Sequence, residues 1–391
     1  MSQHALLSAG CKAWRSLSCP KSELWLNLTL GCGQTFRWRE TADGHWTGVM
    51  QGKVWTLTQT ENTLWYYVYG YQINAEEDNG VKCKIKEEKS SKVMINMNQV
   101  EGDLCTVMSE LDNKDEERLR EYFQLDVKLG DLYRDWSTLD PHFKQIANVF
   151  TGVRMLRQDP VECLFAFICS SNNHISRIQG MIDRLCQTLG TSLCTLDGVA
   201  YHDFPSLQVL ADDSVEKRLR DLGFGYRARF LQQSAQIIVN SRGPDWLKSL
   251  RSAPYIQARD ALRALPGVGL KVADCVCLMS LDKSEAVPVD THVWQISRRD
   301  YNCDAGSTQK TLTDKVYKDI CDFFRNLWGP YAGWAHSILF CADLKRFQKL
   351  KEDIPVLKDE KTEPNKMKVK RDDGDEEKQK KRKNSKKRQR I

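Results

Sequence analysis

The chain has 391 residues, 41% hydrophobic and 28% charged, with a formal net charge of +6. Such a length holds two or three domains with a sizeable core, and no apolar run approaches the ~20 residues a helix needs to cross a bilayer, so a soluble chain with no membrane partner is expected. Residues 351–391 carry 16 Lys+Arg against 10 Asp+Glu, the whole surplus, which leaves residues 1–350 balanced at 42 against 42; a nucleic-acid footprint on the folded part must then be a local patch.

In chain order, residues 1–22 read as an N-terminal leader. Lys12, Arg15 and Lys21 precede the first acid, Glu23, a faint likeness to a mitochondrial transit peptide, though arginine is scarce and no amphipathic period is clear. From Glu23 to Tyr71 the pattern is that of strands, in Trp25–Leu30, Thr35–Trp38, His45–Val49, Val54–Thr58 and Leu64–Tyr69, joined by Ala42-Asp43-Gly44, Gln51-Gly52 and Glu61-Asn62. An antiparallel meander within a domain spanning 23–125 follows. Residues 75–115 are charged and without a period, and read as a flexible insertion. Helical patterning resumes near Asp115 and runs to about Leu350, with caps and stops at Asp140-Pro141, Asp159-Pro160, Gly180, Gly190 and Gly243-Pro244. A helical domain over 126–350 is expected.

Three stretches of it bear on function. The apolar helix PVECLFAFICS, from Pro160, ends in Ser171-Asn172-Asn173-His174-Ile175-Ser176-Arg177. Paired asparagines there make an ordinary helix stop; in an enzyme that extracts a base, short amides and an arginine at such a corner can instead fill the vacated stack. Gly223-Phe224-Gly225-Tyr226-Arg227-Ala228-Arg229 sets an aromatic beside two arginines, either a helix start with exposed arginines or a wedge that stacks on a base step. In Trp328–Phe340, His336 and Phe340 are four apart and share a helix face, so both can look into one cavity.

The stretch around which these gather runs from Leu262 to Asp290. Ala258, Ala261, Leu262 and Leu265 mark one buried helix face, Val272, Val276 and Met279 another, and Pro266-Gly267-Val268-Gly269 lies between them. Two helices joined so tightly pack as a hairpin. Gly267 and Gly269 allow left-handed backbone and leave the second helix's first amides open to an anion, a phosphodiester being the obvious one. Lys271 enters that helix with Cys275 one turn on. The positive end of the helix dipole disfavours a charged ammonium there, which helps an amine act as a nucleophile. Val287-Pro288-Val289-Asp290 follows, with Asp290 as N-cap of the next helix. Taken residue by residue, Lys271 as a solvated lysine and Asp290 as a cap alone is the reading that wins.

Together, the hairpin LPGVG, the lysine two residues beyond it and VPVD resemble the helix-hairpin-helix, Gly/Pro-rich loop and aspartate signature of base-excision DNA glycosylases, and a lysine at this place resembles the bifunctional members. Gly33-Gln34-Thr35-Phe36-Arg37-Trp38, SSNN-x-I-x-RI and GxGYRAR resemble segments of the eukaryotic 8-oxoguanine DNA glycosylase/AP lyases. The likeness runs in one order from Gly31 to Phe340, without the insertion and the tail. It implies an α+β protein: an antiparallel-sheet domain similar to the TATA-binding-protein fold, then an all-α helix-hairpin-helix domain, acting on double-stranded DNA that contains 8-oxoguanine opposite cytosine. Lys271 would attack C1′ and form a Schiff base, β-elimination would nick the strand, and Asp290 would stabilise the charge developing on the sugar. Cys275 and Phe340 would sandwich the extruded purine, with Pro288 in the same pocket and the Gly33 carbonyl accepting the N7 hydrogen. His336 stands where members of the family carry the glutamine that reads the purine's Watson–Crick edge, a departure that bears on fine specificity and pH profile. Asn172, Asn173, Arg177, Tyr226 and Arg227 would hold the estranged cytosine and its surroundings, and Gly267, Gly269 and His292 the backbone phosphates. Glycosylases for another damaged or alkylated base, and a silent DNA-binding module, are the alternatives.

The 14 cysteines include no CxxC pair and fit a reduced intracellular setting. The seven histidines show no metal-ligand grouping, and the four-cysteine iron–sulfur loop of some helix-hairpin-helix glycosylases is missing after Asp290, so neither metal nor cofactor is expected. The tail ends in KQKKRKNSKKRQR from Lys378. It is expected to be disordered and to act as a nuclear localisation signal, with the mitochondrion a minor alternative. A monomer is expected.

Overall fold

The computed structural model describes residues 2–10, 13–69, 113–303, 305, 309 and 311–352; most of the expected insertion and the whole basic tail fall outside them. The chain opens with β1 (Arg15–Ser18), then α1 (Leu26–Gly31), β2 (Trp38–Ala42), β3 (His45–Met50), β4 (Lys53–Gln59), β5 (Thr63–Tyr69) and a helix α2 at 113–122. The sheet order is β1-β5-β4-β3-β2, antiparallel throughout, with Trp38 opposite Gly48, Trp46 opposite Leu57 and Leu57 opposite Tyr66. The turns at Asp43-Gly44 and Gln51-Gly52 produce the expected meander from β2 to β5. Trp38, Trp46, Trp55, Leu57 and Tyr66 form its core with Leu119, Tyr122 and Phe123.

Three expectations change here. Trp25–Leu30 contains a helix, not a strand: Leu26 and Leu30, one turn apart, enter the sheet core while Leu28 enters the helical core, so burial all round imitated strand alternation. Thr35–Arg37 is loop, and the strand starts at Trp38. The leader is built into the fold, since Arg15–Ser18 pairs with β5, Trp14 is buried, and His4 Nδ1 lies 2.7 Å from the Asp197 carboxylate.

The helical part comprises α3 (Leu129–Leu139), α4 (Pro141–Ala147), α5 (Pro160–Ile168), α6 (Ile175–Leu189), α7 (Leu207–Leu210), α8 (Val215–Asp221), α9 (Arg227–Ile237), α10 (Trp246–Ser249), α11 (Tyr255–Arg263), α12 (Leu270–Ser280), α13 (Thr291–Arg299), α14 (Asp314–Trp328), α15 (Ala332–Asp343) and α16 (Gln348–Glu352). Asp140 and Asp159 cap α4 and α5 ahead of a proline at the first turn, as the sequence suggests. Gly180 lies inside α6 and ends nothing. Between α6 and α7 sits a hairpin, β6 (Ser192–Leu196) and β7 (Val199–His202), that helical patterning hid. Its turn is Asp197-Gly198, both at positive φ, a strong hairpin dipeptide.

Sheet and helices are not separate bodies: the described residues form one compact unit. Gln34 and Arg154 join them. Gln34 Nε2 donates to the Thr29 and Arg154 carbonyls at 2.9 and 2.8 Å, and its Oε1 accepts from the Leu156 amide at 3.0 Å. The buried Arg154 guanidinium donates to the Glu23 carboxylate at 2.7 Å and to the Glu23, Phe123, Gln124 and Val127 carbonyls.

Candidate active site

α11 and α12 pack as the expected hairpin. Gly267 has φ +78°, and a Cβ there would lie 2.7 Å from the Phe230 ring, so neither the turn nor the contact admits a side chain. Gly269 is extended, with φ −91° and ψ −176°, contrary to the left-handed expectation; it starts α12 without a side-chain cap and so leaves the first amides open. Lys271 projects from the first turn of α12, which packs on α5. Its Nζ donates to Ser170 Oγ at 3.2 Å and lies 5.0 Å from the centroid of the Phe167 ring.

The buried Val287–Val289 segment delivers Asp290 to the start of α13. Asp290 Oδ1 accepts from the His292 and Val293 amides at 2.9 and 3.0 Å, which satisfies two of the helix's free donors. Lys271 and Asp290 act on the same two buried groups. Burial pushes the Cys275 thiol up to about 11, with Lys271 opposing and Asp290 reinforcing that rise. Burial pushes the His336 imidazole down to about 4, with Asp290 opposing and Lys271 reinforcing the fall. Lys271 and Cys275 of α12, Asp290 at the start of α13 and His336 of α15 are therefore electrostatic neighbours.

His336 is 6% exposed, and neither ring nitrogen makes a well-formed hydrogen bond; the Gly333 carbonyl only faces the ring. A buried polar edge without a well-formed bond is set to meet a ligand's polar edge. Phe340, half-buried, lies with its ring 6.3 Å from that of His336 and 6.1 Å from that of His292. Pro288 is buried beside Asp290. The neighbours of Gly33 and Phe340, Cys32 and Cys341, touch through their thiols, and Phe36 packs edge-on to Phe167 under Lys271. The Gly33 loop is thus packed between α5 and α15. Its φ is +85°, and a Cβ would lie 2.7 Å from Ile175 Cδ1.

A second group gathers at the corner before α6. Asn172 is exposed at φ +48°; the Asn173 amide turns inward to the Cys169 carbonyl at 3.1 Å and so builds the turn; Arg177 is exposed on the first turn of α6. Arg227 is buried rather than displayed, donating to the Ser171 and Asn172 carbonyls, with its guanidinium 4.7 Å from the Tyr226 ring. Tyr226 is 48% exposed and packs on Phe230, the ring that meets Gly267. One ridge therefore runs from the asparagine corner through Tyr226 to the hairpin. His292 is exposed, 3.8 Å from the Asp343 carboxylate.

Sequence reasoning passed over Ser170 and Gln34. Ser170 is the helix-end residue that receives the Lys271 ammonium, and a lone serine 101 positions away carries no signal of that. Gln34 lay in a noted motif, but only the fold reveals that its amide fixes the Gly33 loop.

Over residues 16–164 the chain matches the 8-oxoguanine DNA glycosylase N-terminal domain, and over 165–320 the HhH-GPD superfamily of base excision DNA repair proteins. It is 35% identical to the N-glycosylase/DNA lyase OGG1 of Arabidopsis thaliana, covering 91% of this chain and 88% of that one. It is 34% identical to the N-glycosylase/DNA lyase of Saccharomyces cerevisiae, covering 84% and 85%. Among solved structures, the Clostridium acetobutylicum 8-oxoguanine glycosylase/lyase in complex with double-stranded DNA containing cytosine opposite 8-oxoguanine superposes with a TM-score of 0.61 at 26% identity, covering 84% and 93%. The antiparallel sheet and the helical domain agree with these matches, and the chain belongs to the 8-oxoguanine DNA glycosylase/DNA lyase family of helix-hairpin-helix base excision repair proteins.

Proposed function

We propose that this chain removes 8-oxoguanine from opposite cytosine in double-stranded DNA and then nicks the strand at the abasic site. Lys271 Nζ attacks C1′ as the N-glycosidic bond breaks and the electron pair of that bond leaves with the base. Positive charge builds on the sugar, and the Asp290 carboxylate stabilises it. The amine then loses a proton, the C1′–O4′ bond opens with O4′ taking a proton, and C1′ is held as a Schiff base; loss of a C2′ proton follows, and β-elimination breaks the C3′–O bond. Cys275 and Phe340 stack on the extruded purine, the Gly33 carbonyl accepts its N7 hydrogen, and His336, neutral, meets its Watson–Crick edge. Tyr226, Arg177 and the Asn172-Asn173 corner, braced by Arg227, support the cytosine left behind, and the open amides after Gly267 and Gly269 take phosphate oxygens, with His292 beside the lesion's phosphate. The chain works as a monomer, and its basic tail addresses it to the nucleus.

The observation that carries this reading is the placement of Lys271 on the first turn of the hairpin's second helix, against Ser170 and Phe167, with Asp290 as its electrostatic neighbour. Borohydride added to the protein on a duplex with 8-oxoguanine opposite cytosine is expected to trap a covalent adduct that Lys271→Gln abolishes. Tight DNA binding with no adduct would leave a silent binding module. Equal trapping on an alkylated-base duplex would move the substrate elsewhere.

A further inference from the structure

One buried carboxylate on α12 has no part in the chemistry above. Asp274 lies three residues beyond Lys271, wholly buried. Its Oδ1 accepts from Tyr255 Oη at 2.7 Å and its Oδ2 from Tyr317 Oη at 2.6 Å. Tyr317 Oη in turn accepts from the Val289 amide at 3.2 Å, the residue before Asp290. One turn further along α14, Cys321 Sγ donates to the Val287 carbonyl at 3.2 Å. The helix that carries Lys271, the segment that delivers Asp290 and α14 thus meet at one carboxylate. Burial pushes the Tyr317 phenol well above its ordinary range, with Asp274 reinforcing, so it keeps its proton and serves as donor and acceptor together.

We infer that Asp274 and Tyr317 are positioning residues that set the placement of Asp290 against Lys271 by tying the Val287–Val289 segment to α12. The inference rests on the function proposed above. Without the Tyr317 hydroxyl, the buried Val289 amide loses its acceptor, and an unpaired buried donor is relieved by movement of the segment that bears it. That segment ends at Asp290, so the carboxylate shifts from where positive charge develops during base loss. Strand cleavage at an abasic site begins after that charge has come and gone. It needs Lys271, whose ammonium donates to Ser170 and makes no bond to Tyr317, while Asp274 keeps its bond from Tyr255.

The two steps can be timed separately in the full chain: single-turnover base excision on an 8-oxoguanine duplex, and cleavage of a duplex with a preformed abasic site. Tyr317→Phe is compared with Tyr255→Phe, which removes an equally short bond to the same carboxylate but none to the Asp290 segment. For Tyr317→Phe, excision is expected to slow by about 10- to 100-fold while abasic-site cleavage changes less than about threefold. For Tyr255→Phe the ratio of the two rates is expected to stay within about threefold of wild type. Equal slowing of both steps by Tyr317→Phe, or the same change of ratio in Tyr255→Phe, overturns the inference, because loss of folded protein lowers both rates alike. The function proposed above fails in a different place, in wild-type excision itself, and takes this inference with it.

Discussion

His336 makes the protein sensitive to acid in a way that His336→Gln should remove. Burial holds the imidazole at about 4, below its ordinary 6.5, and the nearby Lys271 adds to the depression while Asp290 resists it. In the unfolded chain the same group takes a proton near 6.5. Between those values the unfolded chain binds a proton that the folded chain refuses, so stability falls as pH drops through 6.5 and the loss is complete only below about 4. An interval of about 2.5 pH units corresponds to roughly 3 kcal/mol, at a slope approaching 1.4 kcal/mol per unit. Glu162 and Asp274, raised by burial to about 7 and about 6, work in the opposite sense over part of the same range. Both variants keep them, so the difference between wild type and His336→Gln isolates the imidazole. Urea unfolding of the two proteins at a series of pH values from about 7.5 to 4.5 reads that difference directly. It is expected to move by roughly 2–3 kcal/mol against the wild type across the series. A difference that stays flat to within about 0.5 kcal/mol would show that the ring is hydrated or paired, and the reading of a buried, neutral edge would be wrong.

Three further outcomes are expected. Asp290→Ala should stop excision and also lower stability by about 1 kcal/mol through loss of the bonds to the His292 and Val293 amides; Asp290→Asn should stop excision with little change in melting temperature, since an amide oxygen still caps the helix. Gly33→Ala, forced to hold φ +85° with its methyl 2.7 Å from Ile175, should cost about 1–2 kcal/mol from the backbone alone. It should slow excision of 8-oxoguanine more than cleavage of a preformed abasic site, measured on the two duplexes in parallel. Arg154→Met should lower the unfolding free energy by about 3–5 kcal/mol, because the Glu23 carboxylate is left without its guanidinium partner; the urea midpoint reports it.

The meander was readable because its turns are carried by local dipeptides, and the hairpin because glycine, proline and the periodicity of two helices coincide. Where the chain is buried on every side, the same reasoning failed: the alternation in Trp25–Leu30 is that of a helix serving two cores at once, and nothing within those six residues says so. The Asp197-Gly198 hairpin was missed for another reason, since its strands are short and lie amid helices. At the site, Lys271, Asp290, Cys275 and His336 were all named from the sequence, and their approach depends on α12 packing on α5 and α13 on α15. Arg227 shows the limit. An arginine after a tyrosine is the same letter whether it reaches outward or folds back on the Ser171 carbonyl, and only the tertiary structure decides.

The bonds from Gln34 to the 154–158 segment, and from Arg154 back to Glu23, also set an order of events during synthesis. The strands and α2 leave the ribosome before the arginine that ties them to the helical part, so the nascent sheet lacks the Gln34 and Arg154 bonds until the 154–158 segment has cleared the exit tunnel. Translation arrested before that point would yield a chain that chaperones hold rather than a small finished domain, and dissection of this protein at the end of its sheet should give the same result.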